Sequence, residues 1–146
     1  MRALLQRVTC ASVEVAGERV AAIDQGLLVL LGLDKKDDRA TADRMLEKLL
    51  AYRVFADESG RMNCSVVDVH GGVLLVSQFT LSADTRKGLR PGFSSAMPPA
   101  LAEPLYTYLL EQLQQRHSDD VAAGVFGADM RVSLTNDGPV TFLLEI

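Results

Sequence analysis

The segment Ser77–Leu81, which reads Ser-Gln-Phe-Thr-Leu, carries the residue types best suited to chemistry in this chain. It follows the apolar run Val73–Val76, which predicts a buried strand that ends abruptly in polar side chains. Such a strand brings hydroxyls, an amide and backbone N–H groups to one rim of a sheet, where they can form an oxyanion hole for acyl transfer. Composition alone favours a simpler interpretation, a polar strand end whose groups are satisfied by their neighbours.

Arg86, Lys87 and Arg90 place three cations within five residues of a segment that also contains glycine and proline. The whole chain is acidic, with 15 Lys and Arg against 19 Asp and Glu and a net charge of −4. This balance excludes a non-specific nucleic-acid coat protein, which would be basic. Contact with RNA would therefore depend on this local patch, which could bind phosphates or be an ordinary solvated loop.

The two histidines and two cysteines give little support for a protein nucleophile or a metal site. No GxSxG, HExxH or GxxxxGK[ST] motif is present, so the corresponding chemistries are not expected. His70 precedes two glycines and His117 follows a charged helix, so both are predicted to be exposed surface histidines. Cys10 and Cys64 lack CxxC spacing, which argues against zinc and predicts buried, reduced thiols.

The segment Asn136–Pro139, which reads Asn-Asp-Gly-Pro, predicts a tight hairpin turn. Before this segment, Met130, Val132 and Leu134 alternate with polar residues. After it, Val140, Phe142, Leu144 and Ile146 alternate with Thr141, Leu143 and Glu145, so a half-buried strand is expected on each side. Because only about 5–6% of X–Pro bonds in folded proteins are cis, the residues alone predict a trans turn without a function.

The elements that must position these segments predict one α+β domain over residues 1–146, with a mostly antiparallel sheet and two main helices. The predicted strands are a hairpin over Arg2–Val15 and Arg19–Ile23, followed by strands at Leu27–Leu31 and Tyr52–Ala56. The first predicted helix is capped by Asp37 or Asp38, and its apolar face consists of Ala42, Met45, Leu46, Leu49 and Leu50. A loop is expected over Asp84–Pro98, followed by a second helix with Leu101, Leu105, Tyr108, Leu109 and Leu113 on one side. Pro104 is expected in the first turn of the second helix or at a kink.

Length and composition are those of a soluble globular domain, with 146 residues, 48% of them hydrophobic and 23% charged. The longest apolar stretch, Leu27–Leu33, is far shorter than a membrane span. The first predicted strand begins almost at residue 1, which leaves no room for a targeting leader. We therefore expect a cytoplasmic protein with no membrane partner.

Ser77–Leu81 and Asn136–Thr141 together resemble the two signature motifs of the D-aminoacyl-tRNA deacylase family. The resemblance runs almost from end to end, since further segments resemble family segments in the same order. These segments are Leu5–Val8 with Ala11–Val13, Arg53–Asp57, Gly60–Asn63, Lys87–Pro91 and Gly124–Met130.

The resemblance implies a cytoplasmic homodimer with a small β-barrel-like α+β fold, which hydrolyses the ester between a D-amino acid and the terminal adenosine of tRNA. It implies no cofactor, no metal and no DNA partner. In the family a glycine–proline pair with a cis bond reaches into the partner subunit's pocket; carried over, this pair is Gly138–Pro139 and the pocket wall is Ser77–Leu81. We expect Arg86, Lys87, Arg90 and Asn136 to bind the tRNA.

The resemblance also suggests a division of catalytic roles. The backbone N–H groups of Phe79 and Thr80, with the Gln78 amide nearby, are candidate oxyanion donors, and Ser77 completes the candidate catalytic segment. No side chain is a convincing general base, which fits assistance by the ribose 2′-hydroxyl. Thr80 as a covalent nucleophile ranks lower, because nothing evident activates it.

Two alternatives from other classes stay open. A non-catalytic protein that binds RNA ends would need only the cationic patch and a pocket. A related deacylase that clears achiral or L-aminoacyl-tRNA would share the fold, and glycyl-tRNA is an expected side substrate because glycine has no Cβ.

Overall fold

The computed structural model describes all 146 residues as eight strands, two α-helices and one 3₁₀ turn. In chain order they are β1 (Arg2–Val15), β2 (Glu18–Ile23), β3 (Gly26–Gly32), α1 (Arg39–Ala51), β4 (Phe55–Ala56), β5 (Met62–Cys64), β6 (Gly72–Ser77), the 3₁₀ turn (Phe79–Ser82), α2 (Pro99–Arg116), β7 (Val121–Ala123) and β8 (Met130–Glu145). The predicted first hairpin is confirmed, whereas the strand expected at Tyr52–Ala56 is reduced to the two residues of β4.

The long strand β1 organises the main sheet, because β2, β3 and β8 all pair with it in antiparallel fashion. Its first half pairs with β3 and its second half with β2, while β8 pairs with both halves. Parallel pairing then continues from β3 to β6 and from β6 to β7. Since β2 also lies against β6 and β7, the sheet is nearly closed. The predicted mostly antiparallel, barrel-like α+β fold is confirmed.

The helices cover one side of this sheet and enclose the main core. Helix α1 begins where Asp38 accepts a hydrogen bond from the Thr41 N–H at 2.8 Å, and its buried residues are those of the predicted apolar face except Leu50, which is half-buried. In α2 the buried face differs from the prediction. Leu101 is 64% exposed and Tyr108 is half-buried, whereas Tyr106 is buried, because the helix turns its Ala102–Tyr106 side to the sheet.

Pro104 lies inside α2, beyond the first turn. Its missing N–H leaves the Ala100 carbonyl without a helical donor. Neither α-helix combines the length and the apolar character that crossing a membrane requires.

The hairpin predicted around Asn136–Pro139 is wrong. Both halves of β8 pair with β1, so the chain passes through this segment without reversing direction. Asn136 is paired with Val8 and Thr141 with Gln6, so four residues of β8 lie opposite Arg7. The Asn-Asp-Gly-Pro segment belongs to a bulge of four residues against one in a single continuous strand, and we call residues 136–141 the bulge.

Candidate functional site

The 3₁₀ turn Phe79–Ser82 begins where parallel pairing between β3 and β6 stops. The Gln78 N–H still donates to the Leu31 carbonyl at 2.7 Å, and the Leu81 N–H donates back to the Gln78 carbonyl at 3.2 Å. Between them, the N–H groups of Phe79 and Thr80 have no acceptor among the hydrogen bonds of the chain. A helical turn leaves its first N–H groups free, and here two adjacent donors remain available to a ligand.

Two contacts from other elements hold this turn in place. Arg2 of β1 donates from its Nη1 to the Leu81 carbonyl at 2.7 Å. Gly32 of β3 lets the turn approach closely, because a Cβ there would lie 2.8 Å from the Leu81 Cβ and 3.2 Å from the Gln78 carbonyl oxygen. The position of the two free donors is therefore set by the sheet and not by the loop that follows.

A cavity of about 410 Å³ opens beside the turn, within the range of small-molecule sites. Eleven of its fifteen lining residues are hydrophobic. All fifteen lining residues come from β3, β6, α2, β8 and the segments between these elements. They are Leu31, Leu33, Val76, Ser77, Gln78, Phe79, Met97, Pro99, Ala102, Tyr106, Phe126, Gly127, Ala128, Met130 and Val132. Ser77, Gln78 and Phe79 are thus brought together at one apolar cavity, while Thr80, the next residue of the turn, is exposed and does not line it.

Tyr106 forms an aromatic wall of this cavity. Its hydroxyl donates to the Leu75 carbonyl at 3.0 Å, and its ring packs against Phe126 with centroids 5.5 Å apart. Burial raises the pKa of Tyr106 to about 12, so the phenol stays neutral at physiological pH. The cavity wall therefore offers an uncharged surface to an apolar group of a ligand.

The Thr80 hydroxyl has one partner, the Gln78 amide, which donates to its Oγ1. No imidazole, amine or carboxylate hydrogen-bonds to that hydroxyl. A hydroxyl becomes a strong nucleophile only when a neighbouring base removes its proton, so the local geometry does not activate Thr80. The same bond keeps the Gln78 side chain at the rim of the cavity.

Three sequence expectations for histidine and cysteine need correction. His117 is 3% exposed and not on the surface, because it ends α2 and its Nε2 lies 2.8 Å from the Gly71 carbonyl oxygen. Cys10 is exposed and Cys64 half-buried, so neither is a buried apolar group, although both are free thiols as predicted. His70 is exposed, as predicted. None of the four residues lines the 410 Å³ cavity.

The bulge is held by side chains on both sides of its backbone. Asn136 accepts from the Val140 N–H at 2.7 Å and donates to the Val140 carbonyl at 3.2 Å, and Arg7 donates to the Asp137 carbonyl at 3.0 Å. The Gly138–Pro139 peptide bond is cis, as the family resemblance implied and the residues alone did not. Both residues are exposed, and neither lines the cavity of its own chain.

Arg86, Lys87 and Arg90 lie at the tip of a loop that an isolated antiparallel bridge between Asp84 and Gly92 closes. We call residues 84–92 the basic loop. Arg86 donates to both carboxylate oxygens of Asp84, at 2.9 and 2.7 Å, and these bonds hold the pKa of Asp84 well below its usual range. Lys87 and Arg90 have no carboxylate partner, so the loop presents two uncompensated cations.

Comparison with known families decides which chemistry this arrangement serves. A family model described as D-Tyr-tRNA(Tyr) deacylase matches residues 4–145. The chain belongs to this deacylase family. It is 65% identical over its full length to a D-aminoacyl-tRNA deacylase of Pseudomonas putida, and 61% identical to one of Cellvibrio japonicus that it also covers almost completely, at 99%.

Two solved structures share the deacylase-family fold. One, titled c-Myc DNA Unwinding Element Binding Protein, is 46% identical, with a TM-score of 0.96 and coverage of 100% of this chain and 99% of the other. The other is titled as a probable eukaryotic D-amino acid tRNA deacylase and is 16% identical. The alignment covers 99% of this chain and 98% of the other with a TM-score of 0.86, which shows the shared fold.

Several residues of this deacylase-family site were missed by sequence reasoning. Arg2 and Gly32 hold the turn, and Arg7 holds the bulge. Tyr106 and Phe126 form the cavity wall, although the Gly124–Met130 segment that contains Phe126 had been matched to the family without a role. An arginine inside a strand or a tyrosine on a helix carries no local signal of such a contact, since the partner lies far away in sequence.

Proposed function

We propose that this protein hydrolyses the ester bond of D-aminoacyl-tRNA in the cytoplasm and releases the D-amino acid and the tRNA. The observation that carries the proposal is the pair of adjacent free N–H groups of Phe79 and Thr80, of which Phe79 lines the apolar cavity. In a family whose relatives are named for this reaction, two adjacent donors beside such a cavity suit an acyl carbonyl whose amino-acid side chain lies within.

The proposed reaction uses a water molecule and no protein nucleophile. The water oxygen attacks the ester carbonyl carbon, and the negative charge that forms on the carbonyl oxygen is stabilised by the Phe79 and Thr80 N–H groups. The bond to the ribose oxygen then breaks, and a proton from the water passes to that oxygen. We assign orientation of the water to the adjacent 2′-hydroxyl of the substrate, which is held next to the ester at no entropic cost to the protein.

Chirality is enforced in this proposal by exclusion. Gly138 and Pro139 project from the bulge of one subunit into the cavity of a second copy, where an L-amino acid would place its Cβ. Both residues are exposed and neither lines the cavity of its own chain, which supports this arrangement. It requires a homodimer, for which an isologous two-fold interface is the simplest solution. Sedimentation should give a dimer, and a fully active monomer would contradict the proposal.

The tRNA backbone is proposed to lie along the basic loop, with Lys87 and Arg90 as the main phosphate contacts and Arg86 in a lesser role because it is paired with Asp84. Asn136 uses its amide within the bulge, on Val140 and Thr141. We therefore give Asn136 a positioning role in substrate binding.

The deciding experiment measures hydrolysis of matched D-tyrosyl-tRNA and L-tyrosyl-tRNA by the purified protein. We expect rapid release of D-tyrosine, no measurable release of L-tyrosine, and partial hydrolysis of glycyl-tRNA. If the protein binds the D-substrate without hydrolysing it, the proposed hydrolysis is wrong and the protein is one that binds RNA ends. Equal rates on both enantiomers would contradict the proposed exclusion of L-amino acids.

A further inference from the structure

Two phenylalanine rings that pack against each other are exposed beside the cavity, although proteins ordinarily bury such rings. Phe79 is 61% exposed and Phe93 is 40% exposed, and their centroids lie 5.1 Å apart with the planes tilted by 49°. Phe79 lines the cavity, while Phe93 belongs to the segment that follows the basic loop. The pair therefore lies between the proposed ester site and the cationic tip.

The backbone on both sides of Phe93 is fixed. Immediately before it, Gly92 exchanges two hydrogen bonds with Asp84, at 2.7 and 3.0 Å. Two residues after it, the Ser95 carbonyl accepts from the Lys35 N–H at 2.9 Å. An aromatic side chain on a fixed backbone loses little further freedom when a planar group stacks on it.

The charges beside the pair match a nucleic-acid strand. Lys87 and Arg90 lie at the tip of the loop that ends at Gly92, and neither is paired with a carboxylate. Exposed aromatic rings next to unpaired cations are the combination with which proteins bind single-stranded nucleic acids, since rings stack with bases and cations bind phosphates.

We propose that Phe79 and Phe93 form a stacking platform for the base of the unpaired nucleotide that precedes the terminal adenosine of the tRNA. The inference rests on the proposed function, because that function places the terminal adenosine at the cavity. The strand then leaves the cavity over the two rings, with its phosphates toward Lys87 and Arg90. The platform makes the protein select a polynucleotide end over an isolated aminoacyl nucleoside.

The test is a cycle that combines one change in the protein with one change in the RNA. Phe93→Leu keeps an apolar side chain and removes the ring, and Phe93→Tyr keeps the ring. Val67→Ala changes a similarly exposed apolar residue (42%) that precedes β6 in the sequence and does not line the cavity. The RNA is an acceptor-stem hairpin whose penultimate nucleotide is either intact or abasic, so that every phosphate is retained. Affinity of the uncharged hairpins is measured by fluorescence anisotropy, and kcat/KM is measured with the D-tyrosylated hairpins and with D-tyrosyl-adenosine.

For the wild type, Phe93→Tyr and Val67→Ala, we expect the abasic change to weaken binding about tenfold, the size of one base–aromatic stack. For Phe93→Leu, we expect intact and abasic hairpins to bind alike, and the ratio of kcat/KM on the hairpin to that on D-tyrosyl-adenosine to fall about tenfold. The proposed platform is wrong if the abasic change weakens the binding of Phe93→Leu as much as that of the wild type. It is also wrong if the abasic change does not weaken binding by the wild type. Absence of hydrolysis by the wild type would defeat the proposed function instead, and the binding arm would still decide the platform.

Discussion

Removing a single backbone N–H group is the sharpest test of the free donors at the 3₁₀ turn. Proline at position 79 eliminates the Phe79 N–H, and its fixed φ suits the first position of a helical turn. The preceding residue, Gln78, is not helical, with φ −142° and ψ 79°, so the usual clash of a helical residue with a following proline is avoided. No hydrogen bond within the chain is lost by this change.

The matched control is Phe79→Ala, which removes the same aromatic ring and keeps the N–H. Loss of one oxyanion donor in other enzymes lowers kcat by about 10²–10³. We therefore expect Phe79→Pro to be about 10²–10³ slower than Phe79→Ala, with a similar unfolding free energy, because the donor is unpaired in the folded protein.

The assay is single-turnover hydrolysis of D-tyrosyl-tRNA at saturating protein, which separates the chemical step from binding and product release. Circular dichroism and urea unfolding of both variants confirm that the turn change leaves the fold intact. If Phe79→Pro and Phe79→Ala have kcat values within about threefold of each other, the Phe79 N–H does not stabilise the oxyanion and the proposed mechanism is wrong.

Three further outcomes follow from the contacts of the site. Thr80→Ala removes one neutral hydrogen bond and keeps the N–H, so kcat should fall by no more than about tenfold; a fall of about 10⁴, with a trapped acyl-enzyme, would restore a nucleophilic role. Lys87→Ala and Arg90→Ala should each lower the slope of log K for tRNA against log salt by about one, whereas Arg86→Ala should lower it less; equal slopes in all three variants would contradict the pairing argument. Gly138→Ala places a Cβ 2.6 Å from a Val140 methyl at φ +143°, so urea unfolding should show a loss of about 1–3 kcal/mol, and an unchanged midpoint would refute that clash.

Local patterns predicted most of the fold because the period of the apolar residues is a property of short segments. The first hairpin, the buried strand at Leu27–Leu31 and the apolar face of α1 all follow from spacing that the structure retains. The bulge shows where such patterns stop. The sequence Asn-Asp-Gly-Pro indicates a turn both where a strand reverses its direction and where it only forms a bulge. Which of the two occurs depends on pairing with Arg2–Val15, more than a hundred residues earlier.

Only those parts of the candidate site that have a local pattern could be predicted from the sequence. The polar end of β6 is visible in the sequence, since Ser77 and Gln78 directly follow an apolar run. Gly32 is equally necessary for the approach of the turn, yet its neighbours in sequence carry no sign of it. His117 was misassigned because its burial depends on the Gly71 carbonyl, a partner from another part of the chain.

The pairing of the first strand with the last also determines when the cavity can exist during synthesis. Arg2 is opposite Glu145, and the cavity wall includes Leu31 near the start of the chain together with Met130 and Val132 near its end. Contacts so distant in sequence form slowly and only after the intervening chain is available. A ribosome-bound fragment that stops before β8 would therefore carry the free donors of the turn without an enclosed site, and ligand binding would begin only after β8 has been synthesised.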